Sequence, residues 1–191
     1  MILGSGIEVM SHPEDKELLE MFRQEQSSHY AFNLIVRKYQ QRLYHHIKRM
    51  VTDHEDANDV LQNTFIKVWK GLHSFREDSQ LYTWLYRIAS NESITFINKR
   101  KKRKATSIEE VHEISELSNS GSVSPHPDQM EMKIQKAIDA LPEQQKMVFS
   151  LRYFDEMKYE DMSEVLNVSV GALKASYHHA VKKVEKIILG H

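Results

Sequence analysis

The chain of 191 residues carries 26 lysines and arginines against 27 aspartates and glutamates, a formal net charge of −1, and no cysteine. Disulfides and thiolate metal sites are thereby excluded, and the lack of cysteine fits a reducing compartment. No apolar run approaches the roughly 20 residues of a membrane span, and Met1 to Met10 lack the basic start and long apolar core of a signal peptide, so a cytoplasmic protein without membrane insertion is expected.

Strand signals are weak throughout, glycine and proline are scarce, and helical periodicity dominates. The expected fold class is all-α. After an N-terminal tail over 1–13, Glu14 to Gln24 reads as a short acidic helix. Leu18, Leu19, Met21 and Phe22 are available to a core, and early acids suit a helix N-terminus. Ser27 or Ser28 is a candidate cap for the next helix, whose stripe is Phe32, Ile35, Val36, Tyr39, Leu43, Ile47 and Met50. Arg37, Lys38, Arg42, Lys48 and Arg49 take other faces. Thr52-Asp53-His54-Glu55 has the spacing of a capping box for a third helix.

That third helix, Asp56 to Leu72, has one apolar stripe: Ala57, Val60, Leu61, Thr64, Phe65, Val68, Trp69 and Leu72. Its opposite face carries Asp59, Gln62, Asn63, Lys67 and Lys70. A polar loop, His73 to Gln80, interrupts the pattern. A fourth helix follows, with Leu81, Trp84, Leu85, Ile88, Ala89 and Phe96 in register. It ends in an unbroken cationic run, Lys99 to Lys104. A helix dipole is served by one or two cations, so six point to a polyanion, although such a run is also what a solvated helix end looks like. Tyr82, Trp84, Tyr86 and Phe96 just before it would offer aromatic faces to unstacked bases. The helices from 14 to 104 are expected to share one core.

Residues 105–129 have linker composition: acids, then Ser118-Asn119-Ser120-Gly121-Ser122, then two prolines. The remainder, 130–191, reads as a second helical domain. Pro142 stands at a helix start, and Met147, Val148, Leu151 and Tyr153 are expected to face inward. Phe154 to Met157 breaks that helix. Tyr159 to Leu166 then reads as a short helix, Asn167-Val168-Ser169 as a tight turn and Val170 to Leu189 as a longer helix. Asn167 tolerates a left-handed backbone and Ser169 is a good N-cap. Met162, Val165, Leu166, Val168, Leu173, Tyr177, Val181 and Val184 would close a small core. Short helix, turn, longer helix is the helix-turn-helix pattern. Ala172, Lys174, Ala175, Ser176, His178, His179 and Lys182 face outward on the second helix. Small residues there allow close approach to base edges, and cations further along meet phosphates.

No Gly-rich phosphate loop and no nucleophile motif occurs. His45, His46, His54 and Glu55 straddle a helix end without a facial geometry, so neither a metal site nor a cofactor is expected. The chain reads as no enzyme.

Taken together, Asp56-Ala-Asn-Asp-Val-Leu-Gln-Asn-Thr-Phe-Ile-Lys-Val-Trp, Thr83-Trp-Leu-Tyr-Arg-Ile-Ala-Ser-Asn, Leu141-Pro-Glu and Val170-Gly-Ala-Leu-Lys, in this order, resemble an extracytoplasmic-function sigma factor of bacterial RNA polymerase. The resemblance implies a sigma region 2-like domain over 14–104 and a region 4-like helix-turn-helix domain over 130–191, joined by the flexible linker. It implies that core polymerase docks on Asp59, Gln62 and Asn63, the last standing where the family usually carries glutamate. It implies contacts to the −10 element from Phe75, Arg76, Asp78, Gln80, Trp84, Arg87, Asn91 and the cations Lys99, Arg100, Lys101, Lys102 and Arg103. For the −35 element it implies Ser169, Ala172, Lys174, Ala175, His178 and Lys182. Ser176 and His179 stand where arginine is frequent. Implied partners are core RNA polymerase and promoter DNA, and the resemblance leaves room for an anti-sigma factor. The alternative is a helix-turn-helix regulator that binds DNA without polymerase.

Overall fold

The computed structural model describes residues 13–107 and 127–189, and the described residues form eight α-helices and no strand. They are α1 (Asp15–Arg23), α2 (Ser28–Val51), α3 (His54–Leu72), α4 (Leu81–Ser107), α5 (Pro127–Asp139), α6 (Glu143–Tyr153), α7 (Tyr159–Leu166) and α8 (Val170–Leu189). α2 packs against α1, α3 and α4, and α3 packs against α4. α8 packs against α5, α6 and α7. The two bundles also meet: α7 lies on α4, and α6 lies on α2.

The first bundle buries the stripes that its periodicity marks. Leu18, Phe22, Ile35, Leu43, Ile47, Val60, Val68 and Leu85 are all 2 % exposed or less. Full burial of one such side chain contributes about 1.5–3 kcal/mol. Trp69 ties three helices together, edge-on to Phe22 of α1 and Phe32 of α2 and stacked on His29. The second bundle has its own small cluster of Ala137, Ile138, Leu141, Phe149, Ala180 and Val184. Met147, Val148, Leu151, Met157, Met162, Val165 and Leu173, however, belong to the same continuous core as the first bundle.

Local chemistry sets the helix ends, with some differences from the sequence reading. Ser27 does stand at the start of α2, but its hydroxyl donates back to the Met21 carbonyl at 2.6 Å and caps nothing. The expected Thr52–Glu55 capping box does not form. Thr52 ends α2 at φ 73°, and the Asp53 carboxylate caps α3 by accepting from the N–H groups of Glu55 and Asp56. The Asp56 N–H first, and that of Glu55 after it, hold the Asp53 carboxyl below its ordinary pKa. Tyr153, expected inward, is 55 % exposed at the end of α6. The linker expected over 105–129 lies mostly outside the described residues, and helix claims both its ends, because α4 runs through Ser107 and α5 begins at Pro127.

Around the helix-turn-helix the expected bounds hold. Asn167 adopts the left-handed conformation at φ 53°, ψ 46°. Ser169 Oγ accepts from the Ala172 N–H at 3.3 Å. These two residues end α7 and start α8, and so aim the outer face of α8 away from the core.

Candidate polymerase and nucleic-acid surfaces

α3 is buried along one side and exposed along the other. Asp59, Gln62, Asn63 and Ile66 follow one another at i, i+3, i+4 and i+7, all exposed. The three expected docking residues therefore do share one face. Ile66, which the sequence reading passed over, lies among them at 45 % exposure. Beside this stripe, Asp56 accepts from Arg100 at 2.9 Å. Asp56, Asp59, Phe96, Lys99, Arg100 and Arg103 line a single cleft. The polar face of α3 thus adjoins the cationic end of α4.

The loop between α3 and α4 shapes a second cleft, of about 630 Å³. Arg76, Asp78, Trp84 and Arg87 line it together with Ser74 and Ser79. Phe75 is 9 % exposed and packs on Trp84 with ring centroids 4.9 Å apart. Its ring backs Trp84 and also lines this cleft. Gly71 was also passed over, since a lone glycine near a helix end carries no distinctive signal. A Cβ at that position would come within 3.1 Å of the Trp84 ring, so glycine lets Trp84 lie close against α3. Arg76, Asp78, Gln80, Arg87 and Asn91 are exposed, and so are Lys99, Arg100, Lys101, Lys102 and Arg103. Arg76 pairs with Asp78 at 3.3 Å.

Two of the four aromatics expected as a platform are engaged by the protein itself, while Trp84 and Phe96 line clefts. Tyr86 is 4 % exposed and donates to Asp155 at 3.2 Å. Tyr82 is half-buried and donates to Asp161. Burial first, then the bond to Asp161, pushes the Tyr82 phenol up to about 12, and burial pushes Tyr86 upward too.

On α8, Ala172, Lys174, Ala175, His178 and Lys182 are exposed, with Ser169 at the turn. Lys174 Nζ sits 5.6 Å above the Tyr159 ring, which steadies its base without burying its charge. Small side chains at the helix start and cations beyond form a surface that suits a major groove.

Among the described residues, no group of three or more His, Asp or Glu side chains is placed to hold a metal ion. His54 is bonded to Tyr44 and Asn58. His46, fully buried, lies between Ser90 and Asp155 at 3.0 and 3.2 Å. Among the described residues no helix is long and apolar enough to cross a membrane.

Comparison with known proteins matches the two bundles separately. The Sigma-70 region 2 family matches residues 35–103, and the Sigma-70, region 4 family matches residues 131–184. The RNA polymerase sigma-H factor of Pseudomonas aeruginosa is 31% identical over 189 residues, covering 94% of this chain and 96% of the relative. The ECF RNA polymerase sigma-E factor of Escherichia coli is 30% identical over 179 residues, covering 90% and 92%. Two solved structures share the fold. CnrH in complex with the cytosolic domain of CnrY superposes with a TM-score of 0.68 at 18% identity, over 92% of this chain and 97% of that one. The sigma factor RpoE of Bartonella quintana, bound to the anti-sigma factor NepR, gives 0.66 at 22% identity over 82% and 96%.

Proposed function

We infer the working of this chain from its membership: it belongs to the extracytoplasmic-function sigma factors of bacterial RNA polymerase. It binds core RNA polymerase, directs it to promoters and takes part in opening the DNA at the −10 element. It is a transcription initiation factor and not an enzyme, so bond-making chemistry belongs to the polymerase. Unpairing DNA needs binding energy and a place for unstacked bases, and no catalytic residue.

In our reading, 1–13 is a tail and 14–104 is the domain that binds core polymerase and the −10 element. Residues 105–129 connect it to a −35-binding domain over 130–191. Asp59, Gln62 and Asn63 dock the polymerase. Arg76, Asp78, Gln80 and Trp84 serve the unstacked strand, with Phe75 as support behind Trp84. Arg87, Asn91 and the cations from Lys99 to Arg103 hold its phosphates. Ser169, Ala172, Lys174, Ala175, His178 and Lys182 meet the −35 element. The place of action is the cytoplasm. An anti-sigma factor is a further partner, supported by the solved structure of like fold in which such a factor is bound.

The observation that carries this reading is the single exposed stripe Asp59, Gln62, Asn63 on a helix whose other side is core. Replacing Asp59 and Gln62 together by alanine removes two polar groups from the surface and leaves the core untouched. With about 1 kcal/mol lost at each of two interface positions, core-polymerase affinity should fall about thirtyfold while helicity stays unchanged. Full affinity in that titration, or no promoter-directed run-off transcription from the wild-type chain with core enzyme, would overturn the assignment. Nanomolar, sequence-specific promoter binding by the free chain would favour a direct regulator.

A further inference from the structure

Gly71 stands in the last turn of α3, and nothing in the helix itself asks for glycine there. Its backbone is helical, with no left-handed φ to accommodate. Glycine inside a helix is less favourable than alanine, because it gives up more backbone freedom on folding. The reason lies across the helix pair. A Cβ at this position would meet Cζ2 of Trp84 at 3.1 Å and Cη2 at 3.4 Å. Gly171 of α8, by contrast, would meet nothing within 4 Å. The crowding therefore belongs to Gly71 and not to helical glycines in general.

The surroundings leave the ring one way to respond. Val68 and Leu72 anchor α3, and Leu81 and Leu85 anchor the start of α4; all four are 4 % exposed or less. The Trp84 N–H closes the first turn of α4 on the Gln80 carbonyl at 3.1 Å. Both helices are thus held by core on either side of the contact, so the ring and not the helix pair gives way to a methyl group. Phe75 backs the ring, with 36° between the two planes. The open direction is the cleft that Gly71, Trp84, Arg76, Asp78 and Arg87 line.

We propose that Gly71 is a positioning residue for promoter opening: lacking a Cβ, it seats the Trp84 ring against α3 and keeps the cleft clear for an unstacked base. This rests on the reading of Trp84 as a contact of the opened strand. The ring's position and the free width of the cleft are set together. A methyl group at 71 would push the ring a few tenths of an ångström and narrow the cleft by as much. Misplacing a group by about 1 Å can cost about a hundredfold in rate, so this smaller shift should cost about three- to tenfold.

A double-substitution cycle in the full-length chain with core polymerase tests the seat. G71A adds the methyl group. W84F removes the atoms it would meet, since a phenylalanine ring stops short of Cζ2 and Cη2. Opening is read from 2-aminopurine placed just downstream of the −10 element in a transcribed promoter, with core affinity measured alongside. Trp69 and Trp84 are the two tryptophans of the chain, so subtracting the W84F spectrum isolates the Trp84 emission. In G71A that emission should become more accessible to a soluble quencher. Opening should fall about three- to tenfold while core affinity stays at the wild-type value. The melting temperature should stay at or above wild type, because alanine is the better helix former. A merely structural glycine would show the reverse, lost stability with opening kept. In the W84F background the same methyl group should change nothing further. Wild-type opening by G71A while W84F is impaired would overturn the proposal and leave the strand reading standing. An equal loss from G71A in both backgrounds would also overturn it, since the methyl group would then act without the ring. Wild-type opening by W84F strikes the strand reading itself, and the proposal with it. If the methyl group unfolds the chain, G71A/W84F, which lacks the crowded atoms, should be folded; loss of fold in both overturns the seat.

Discussion

Ile66 shows what a single exposed residue can add to a polar face. It is the one apolar side chain among the exposed positions of α3, in line with Asp59, Gln62 and Asn63. An isolated surface isoleucine needs no explanation, but one inside the proposed docking stripe is placed to be an anchor. Ile66→Ala should weaken core-polymerase binding by ~1 kcal/mol, about fivefold, from the apolar area withdrawn. The melting temperature should stay near wild type, because a surface change far from the core usually costs less than about 0.5 kcal/mol. A core-binding titration beside a thermal melt distinguishes the two, and equal affinity would place the anchor elsewhere. Residues of this kind are half legible in a sequence. Periodicity put Ile66 off the apolar stripe, but nothing local marks an exposed isoleucine as useful. Asp155 was less legible still. In Phe154-Asp155-Glu156-Met157 it looks like an ordinary helix-breaking acid, and its donor His46 lies 109 positions away in the chain. Long-range partners leave no local trace. The same holds for Tyr86, which reads as a free aromatic face and is 4 % exposed.

The helix-turn-helix was legible because its determinants are neighbours in the chain. Asn167 was expected to turn left-handed and does, and Ser169 was expected to cap and does. The capping box at Thr52 slipped by one residue, since Thr and Asp side by side compete for the cap and the charged Asp53 holds it with two N–H bonds. The left-handed conformation costs ordinary residues roughly 1–2 kcal/mol, while glycine adopts it freely. Asn167→Val should therefore destabilise the chain by about 1–2 kcal/mol and shift the α7–α8 geometry. Asn167→Gly should remain close to wild type in both melting temperature and activity on promoters with an intact −35 element. Equal stability for the valine and glycine variants in a denaturant titration would show that the turn does not depend on this conformation.

At the scale of the molecule, the sequence spoke clearly of two helical bundles and not at all of their contact. Met147, Val148, Leu151 and Met162 read as the inward face of the second bundle, which is right as far as it goes. A periodic stripe says that a face is buried, not against what, and here those residues join the core of the first bundle. Asp155 at that junction also sets a pH dependence. Burial alone would raise its pKa, but the hydrogen bond and charge of His46, then Arg49, outweigh it and hold the carboxyl below its ordinary value. His46 and Arg49 face it from α2 and Tyr86 from α4. A carboxyl whose pKa is depressed in the folded state stabilises that state fully above its unfolded value, about 3.9. That contribution is lost as pH falls through the folded-state value. Asp155 should therefore contribute undiminished from neutral pH down to about 4 and progressively less below it. Stability in a denaturant titration should fall in that acid range for the wild type. D155N, less stable at neutral pH and with no carboxyl to titrate at this position, should lose less over the same range. A loss of equal size and midpoint in D155N would assign the acid sensitivity to other carboxylates, such as Asp161 beneath Tyr82 or Glu143 beside Lys101.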